Sequence, residues 1–184
     1  MTNERGHKEL LDEIIEIELD MFQRVRTAQP SLCKERPETF KAMRGMTCSV
    51  LSTETLESYL EDLQKAKAEG GNLLTEKYAR MDNLIPPLKT TPIIDDIVEV
   101  EDRWMKELSE KYPHTFRGGL GFKVYLRCEL ETYSGKTLKL YSKDVSKAKK
   151  EGKNLAEERY TTLFQQIGFG SIAEADEQAK AQDQ

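Results

Sequence analysis

The sequence predicts an all-α fold, a helical bundle built from two tandem four-helix repeats that share one core. Three observations carry that expectation. Residues 40–81 align without a gap on residues 122–163, an offset of 82, and 16 of the 42 aligned pairs are identical; internal repetition of this kind is the signature of a repeated supersecondary unit. Apolar residues recur along both copies with the 3.6-residue period of an amphipathic helix. No stretch alternates as a half-buried strand would, and none reads as a hairpin.

Residues 1–8 are polar and are expected to be disordered. A first helix is predicted from Lys8 to Arg26, with Leu11, Ile14, Ile15, Phe22 and Val25 on one face. Its counterpart runs from Ile93 to Lys111, where Ile94, Ile97, Val98, Met105 and Leu108 take the same places. The joining segments differ: Thr27–Pro37 is a polar loop, whereas Tyr112–Gly121 carries three glycines. That loop lacks the preceding strand and the glycine spacing of a phosphate cradle, so it reads as an interhelical connection.

The second helix is expected over 38–51, after Pro37, and its copy over Phe122–Tyr133. The third starts behind Ser52 or Thr53, with Ser134 in the copy, and stops at Gly70 and Gly152, where a left-handed cap needs no Cβ. Asn72 and Asn154 then stand at helix starts, Asn154 with Glu157 at capping-box spacing. The repeated EGxN element is therefore a helix stop followed by a helix start. Fourth helices are predicted over Leu73–Leu84 and Leu155–Ile167.

Prolines 86, 87 and 92 interrupt the chain between the copies. The expected organisation is repeat 1 over 9–85, a Pro-rich linker over 86–92, repeat 2 over 93–175, and a polar tail over 176–184. One further helix is suggested where Ser171 precedes Glu174 by three residues.

The chain of 184 residues has 33 Asp+Glu against 28 Lys+Arg, a net charge of −5, which argues against a general nucleic-acid or anionic-membrane binder. No apolar run reaches the ~20 residues of a membrane span, and a cytoplasmic location is expected. Three cysteines without CxxC spacing suggest neither a disulfide framework nor a structural zinc site. Cys33, in the first loop, is the candidate reactive thiol, whereas Cys48 and Cys128 lie on or beside apolar faces.

Charged residues on apolar faces are the main anomaly. Glu18 falls within the stripe of the first helix, and Glu101 takes the same place in the copy. Lys77 lies among Leu73, Met81 and Leu84, and Arg159 between Leu155 and Leu163. Arg44 joins Phe40, Met43 and Leu51, while Glu129 joins Phe122, Tyr125, Leu126 and Tyr133. Three acids and three bases thus point inward, and buried charges persist when paired or when they line a wet cavity. Two readings follow. One is an ion-pair network that fixes helix register; the other is a polar pocket that binds a small anionic ligand or performs acid–base chemistry. Tyr59 and Tyr141 offer hydroxyls to either.

In the enzyme reading Glu18, Glu101 or Glu129 is the acid or base and Arg44 or Arg159 orients the substrate. An all-carboxylate metal site is disfavoured by Arg44, and His7 and His114 lie away from the core-facing helices, so no metal and no cofactor is predicted. A third reading is an interaction scaffold: Lys136, Lys139, Lys143, Lys147 and Lys150 make a basic stripe, whereas the equivalents Glu54, Glu57 and Glu61 are acidic. It would dock an acidic protein partner, RNA, or the acidic stripe of a second copy of the chain.

The segments EIELDMF (Glu16–Phe22), TFKAMR (Thr39–Arg44), NLLTEKYARM (Asn72–Met81), YLRCELETYS (Tyr125–Ser134) and GFGSIAEAD (Gly168–Asp176) together resemble the bacterial domain-of-unknown-function family 4125. The resemblance spans most of the chain. It implies that Glu18, Arg44, Arg127 and Glu129 occupy motif positions, which adds Arg127 to the candidate ligand-binding residues Arg44, Lys77, Arg159, Tyr59 and Tyr141. It implies no catalytic assignment. The sequence departs from the family pattern at TAQPSLCKE in the first loop and at GMTC after Arg44.

Overall fold

The computed structural model describes residues 6–25, 36–117 and 121–182. Among these residues there are nine helices and no strand: α1 (His7–Arg24), α2 (Pro37–Ser49), α3 (Thr53–Ala68), α4 (Leu73–Met81), α5 (Pro92–Lys111), α6 (Phe122–Leu130), α7 (Gly135–Lys150), α8 (Leu155–Gln166) and α9 (Ile172–Gln182). No helix among them is long and apolar enough to cross a membrane. Arg26, most of the first loop with Cys33, and Gly118 and Gly119 of the glycine-rich loop lie outside the described residues.

Helix ends follow the local chemistry of the chain. Ser52 and Ser134 accept bonds from the amides of Thr55 and Thr137 at 3.3 and 3.2 Å, and so cap α3 and α7. Asn72 and Asn154 cap α4 and α8 by accepting from Thr75 and Glu157 at 2.9 and 3.1 Å. The Glu157 carboxylate does not close the expected box; it is held by Lys111 at 2.6 Å. At the other ends of α3 and α7, Gly70 and Gly152 adopt φ of +74° and +67°. The amides of Gly71 and Lys153 then reach back to the carbonyls of Ala66 and Ala148 at 2.7 and 2.9 Å.

Two helices stop three residues short of their expected ends. α4 ends at Met81 rather than Leu84, because Asn83 takes a left-handed φ of 55° and the Leu84 amide bonds to the Ala79 carbonyl at 2.9 Å. The same stop, with asparagine in the place of glycine, leaves Leu84 exposed. α6 ends at Leu130, three residues before Tyr133. Conversely, α9 runs on through Gln182, well past residue 176, where the polar tail was expected to begin. It is seated by Ile172 and Ala175, and Asp176 accepts the amides of His114 and Thr115 at 2.9 and 2.7 Å.

α1 packs against α2, α3 and α4, and α5 packs against α6, α7 and α8. These groups meet through three contacts, α2 on α8, α3 on α7 and α4 on α6, while α9 lies on α8. One continuous core runs through both groups, from Leu10, Ile14 and Phe22 through Leu56, Tyr59 and Leu63 to Ile97, Trp104, Tyr133, Leu138 and Leu155. Where α3 meets α7 the helices run antiparallel, and each supplies an aspartate to the start of the other. Asp144 accepts from the Ser52 amide at 3.0 Å and the Thr55 hydroxyl at 2.6 Å. Asp62 accepts from the Ser134 amide at 2.9 Å and the Thr137 hydroxyl at 2.6 Å.

Candidate functional site

All six inward charges read from the sequence are buried. Glu18 and Glu101 have no exposed surface, and Arg44, Lys77, Glu129 and Arg159 keep only 4–6%. The amphipathic periodicity of each helix carries them into the core with its apolar neighbours, so their charge has to be answered by partners on other helices.

They assemble into two groups. In the first, Arg44 of α2 bridges two carboxylates. Its Nε and Nη2 donate to Glu18 at 2.8 and 2.6 Å, a two-pronged pair, and its Nη1 and Nη2 donate to Glu129 at 3.2 and 3.0 Å. Lys77 of α4 donates to the other side of Glu129 at 2.5 Å, with its ammonium 3.5 Å from the centroid of the Tyr125 ring. Tyr59 donates to Glu18 at 2.6 Å and Tyr133 to Glu129 at 2.9 Å. In the second group, Arg159 of α8 grips Glu101 of α5 at 2.6 and 2.8 Å and also donates to the Thr47 carbonyl at 3.3 Å and the Tyr141 hydroxyl at 3.0 Å. Tyr141 donates to Glu101 at 3.0 Å. Tyr133 lies between the groups, its ring 4.5 Å from Tyr59 and 6.5 Å from Tyr141.

The electrostatics fix the protonation states. Burial opposes ionisation of Glu129, but Arg44 and Lys77 outweigh it and hold the carboxyl well below its usual range. Burial alone would depress Arg44 and Lys77; the carboxylate of Glu129, joined for Arg44 by Glu18, raises both instead. Arg159 is raised likewise, with Glu101 overcoming burial. The phenols of Tyr59, Tyr133 and Tyr141 are pushed up by burial and by the neighbouring carboxylates, and so remain donors. The Cys48 thiol is pushed up to about 12, chiefly by burial. A carboxylate held this low is a weak base, and each oxygen of Glu18, Glu101 and Glu129 already accepts at least one hydrogen bond.

A cavity of about 200 Å³ opens against both groups. Met43, Met46, Met105, Phe122 and Leu126 contribute its apolar wall, and Arg44, Glu129, Tyr141 and Arg159 its polar side. On the far side of Arg44, between Glu18, Lys77 and Tyr125, there is space of only about 10 Å³, room for one water.

Not every expected residue joins this site. Arg127 faces away from it, pairs with Asp95 at 2.6 Å on the surface and lines an open groove beside Arg80 and Lys123. Helical geometry gives the reason: Arg127 lies two residues from Glu129, and i and i+2 do not share a helix face. Cys48 and Cys128 are buried free thiols, and Cys33 lies outside the described residues. Among the described residues no three His, Cys, Asp or Glu side chains are arranged to hold a metal ion. Tyr133 and Tyr125, parts of an apolar face in the sequence, also belong to the site. Their spacing from Glu129, four residues on either side, is the signal that would have found them.

No curated protein and no solved structure gives a significant match to this chain. A family model described as "Protein of unknown function (DUF4125)" matches residues 8–177, nearly the whole chain, and takes in every charged residue of both buried groups. The chain belongs to the DUF4125 family.

Proposed function

We propose that this protein is a small-ligand-binding module whose site is the cavity of about 200 Å³ where α2, α5, α6, α7 and α8 converge. The observation that carries the reading is the composition of that cavity, a methionine- and aromatic-rich wall set against two guanidinium groups, a carboxylate and a tyrosine hydroxyl. Binding sites combine largely apolar walls with a few placed polar groups in this way, typically in volumes of about 300–1,000 Å³. The smaller space here suits a ligand below drug size, with an apolar body and one anionic or hydrogen-bonding end. Arg159 is the residue we assign to that end, because its bond to the Thr47 carbonyl is its longest, at 3.3 Å, and the easiest to exchange.

In the same reading the chain is a duplicated domain, with two four-helix repeats, α1–α4 and α5–α8, and the cavity at their junction. Paired hydrogen bonds support this. Asn72 and Asn154 donate to the carbonyls of Met21 and Trp104 at 2.8 and 3.1 Å, and Lys77 and Arg159 reach the equivalent positions 129 and 47.

Native mass spectrometry of freshly purified protein tests the reading, alongside thermal shifts with a panel of small aliphatic and aromatic carboxylates. Ala156, buried in the cavity lining, gives the control. Ala156→Leu fills the space and should abolish the retained mass or the thermal shift while circular dichroism stays helical. Wild-type protein that carries no extra mass and responds to no member of the panel would refute the proposal.

A further inference from the structure

The charged face formed by α3 and α7 takes no part in the cavity. Glu54, Glu57 and Glu61 are all exposed on α3, and at the offset of 82 each is answered by an exposed lysine on α7: Lys136, Lys139 and Lys143. Lys147 and Lys150 extend the basic row along a helix about 24 Å long. The two rows lie side by side on one face. Lys136 pairs with Glu61 at 2.7 Å, and Glu54 lines an open groove together with Lys143, Lys147 and Lys150. Among the described residues, Glu54, Glu57, Lys139, Lys143, Lys147 and Lys150 have no ion-pair partner within 4.0 Å.

We infer that this face docks a second copy of the chain, forming a two-fold dimer in which the acidic row of each α3 opposes the basic row of the partner's α7. The geometry follows from symmetry. A two-fold axis parallel to the antiparallel helices, running between them, carries each row onto the row of opposite sign. An axis across the helices sets like charge on like and is disfavoured. A nucleic acid or an acidic peptide fits less well, because the three glutamates beside the lysines repel it. Exposed ion pairs are individually weak, so the association is salt-sensitive.

Light scattering coupled to size-exclusion chromatography, at about 50 and about 500 mM salt, reads the assembly. Wild-type protein should show twice the monomer mass at low salt and the monomer mass at high salt. The triple variants Glu54→Lys/Glu57→Lys/Glu61→Lys and Lys136→Glu/Lys139→Glu/Lys143→Glu should each be monomeric at low salt. Mixed in equal amounts they should form a heterodimer, and the six-fold swap should restore the homodimer. These residues are exposed, and circular dichroism confirms that each variant is folded. A monomeric wild type at low salt, or triple variants that dimerise as wild type does, overturns the proposal. So does a wild type that captures duplex RNA or polyglutamate without self-associating, since that puts a different occupant on the face.

Discussion

Glu101 and Arg159 form the simpler of the two buried groups, and their removal has a calculable cost. Arg159→Met leaves Glu101, which has no exposed surface, with the Tyr141 hydroxyl as its one remaining partner. Breaking a buried pair from one side costs about 3–5 kcal/mol, because the surviving charge is stranded in the core. Glu101→Gln strands the guanidinium of Arg159 instead and should cost a similar amount. The double variant removes both charges and keeps an oxygen to accept from Tyr141. What remains is a buried amide NH₂ without its partner, a cost of about 1–3 kcal/mol. The double variant should therefore be more stable than either single variant, with a coupling energy of roughly 6 kcal/mol. At about 2–4 °C per kcal/mol for a chain of this size, each single variant should lower Tm by roughly 6–20 °C. Urea denaturation followed by circular dichroism, with calorimetry for Tm, measures all four corners of the cycle. If either single variant stays within about 1 kcal/mol of wild type, or if the double variant loses the sum of the two, the pair is not the mutually dependent unit described above.

Glu129 sets an acid limit on stability. Burial opposes its ionisation, yet Arg44 and Lys77 hold its folded-state value below that of the unfolded chain. Its stabilisation is fully present above about pH 4.3, the unfolded value, and is lost as pH falls toward the folded one. Urea midpoints should thus drop between neutral pH and about pH 3 more steeply for wild type than for Glu129→Gln, and equal slopes would contradict this assignment. Gly152→Ala should cost about 1 kcal/mol through the positive φ alone, since an added Cβ there meets no atom within 4 Å; a neutral result in chemical denaturation would count against the cap. Asn154→Ala should cost about 1–2 kcal/mol, losing both the cap and the bond to the Trp104 carbonyl. The Cys48 thiol, pushed up to about 12, should resist iodoacetamide at pH 8 in the folded protein and react after denaturation, as followed by peptide mass mapping.

The inward charges were readable because a helix wheel needs only spacing. Glu18, Lys77, Glu101 and Arg159 each stand where period 3.6 places an apolar residue, and the structure buries them there. Their pairing was not readable, since it depends on which helices meet. Lys77 and Arg159 are equivalent in sequence, yet Arg159 takes Glu101 from its own group of helices, whereas Lys77 crosses to Glu129 because Arg44 already occupies Glu18. The left-handed stop at Asn83 is not legible in the sequence, because asparagine serves both at helix starts and at helix stops. Asp62 and Asp144 carry a weaker signal. They align as an identical pair at the offset of 82 and lie on mostly polar stretches, and only the antiparallel contact of α3 and α7 gives each aspartate its partner.

The exchange of aspartates between α3 and α7 also sets a timetable for synthesis. The Ser52 end of α3 is completed by a residue 92 positions further along the chain. At about 5–20 residues per second, a ribosome takes roughly 5–18 seconds to supply it. For most of that interval Tyr59 lacks the Tyr133 ring and Ser58 lacks Thr137, and until Glu129 is made Arg44 serves Glu18 alone. The amino-terminal half is therefore made before the helices that complete the shared core, so part of its apolar surface has no cover until they follow.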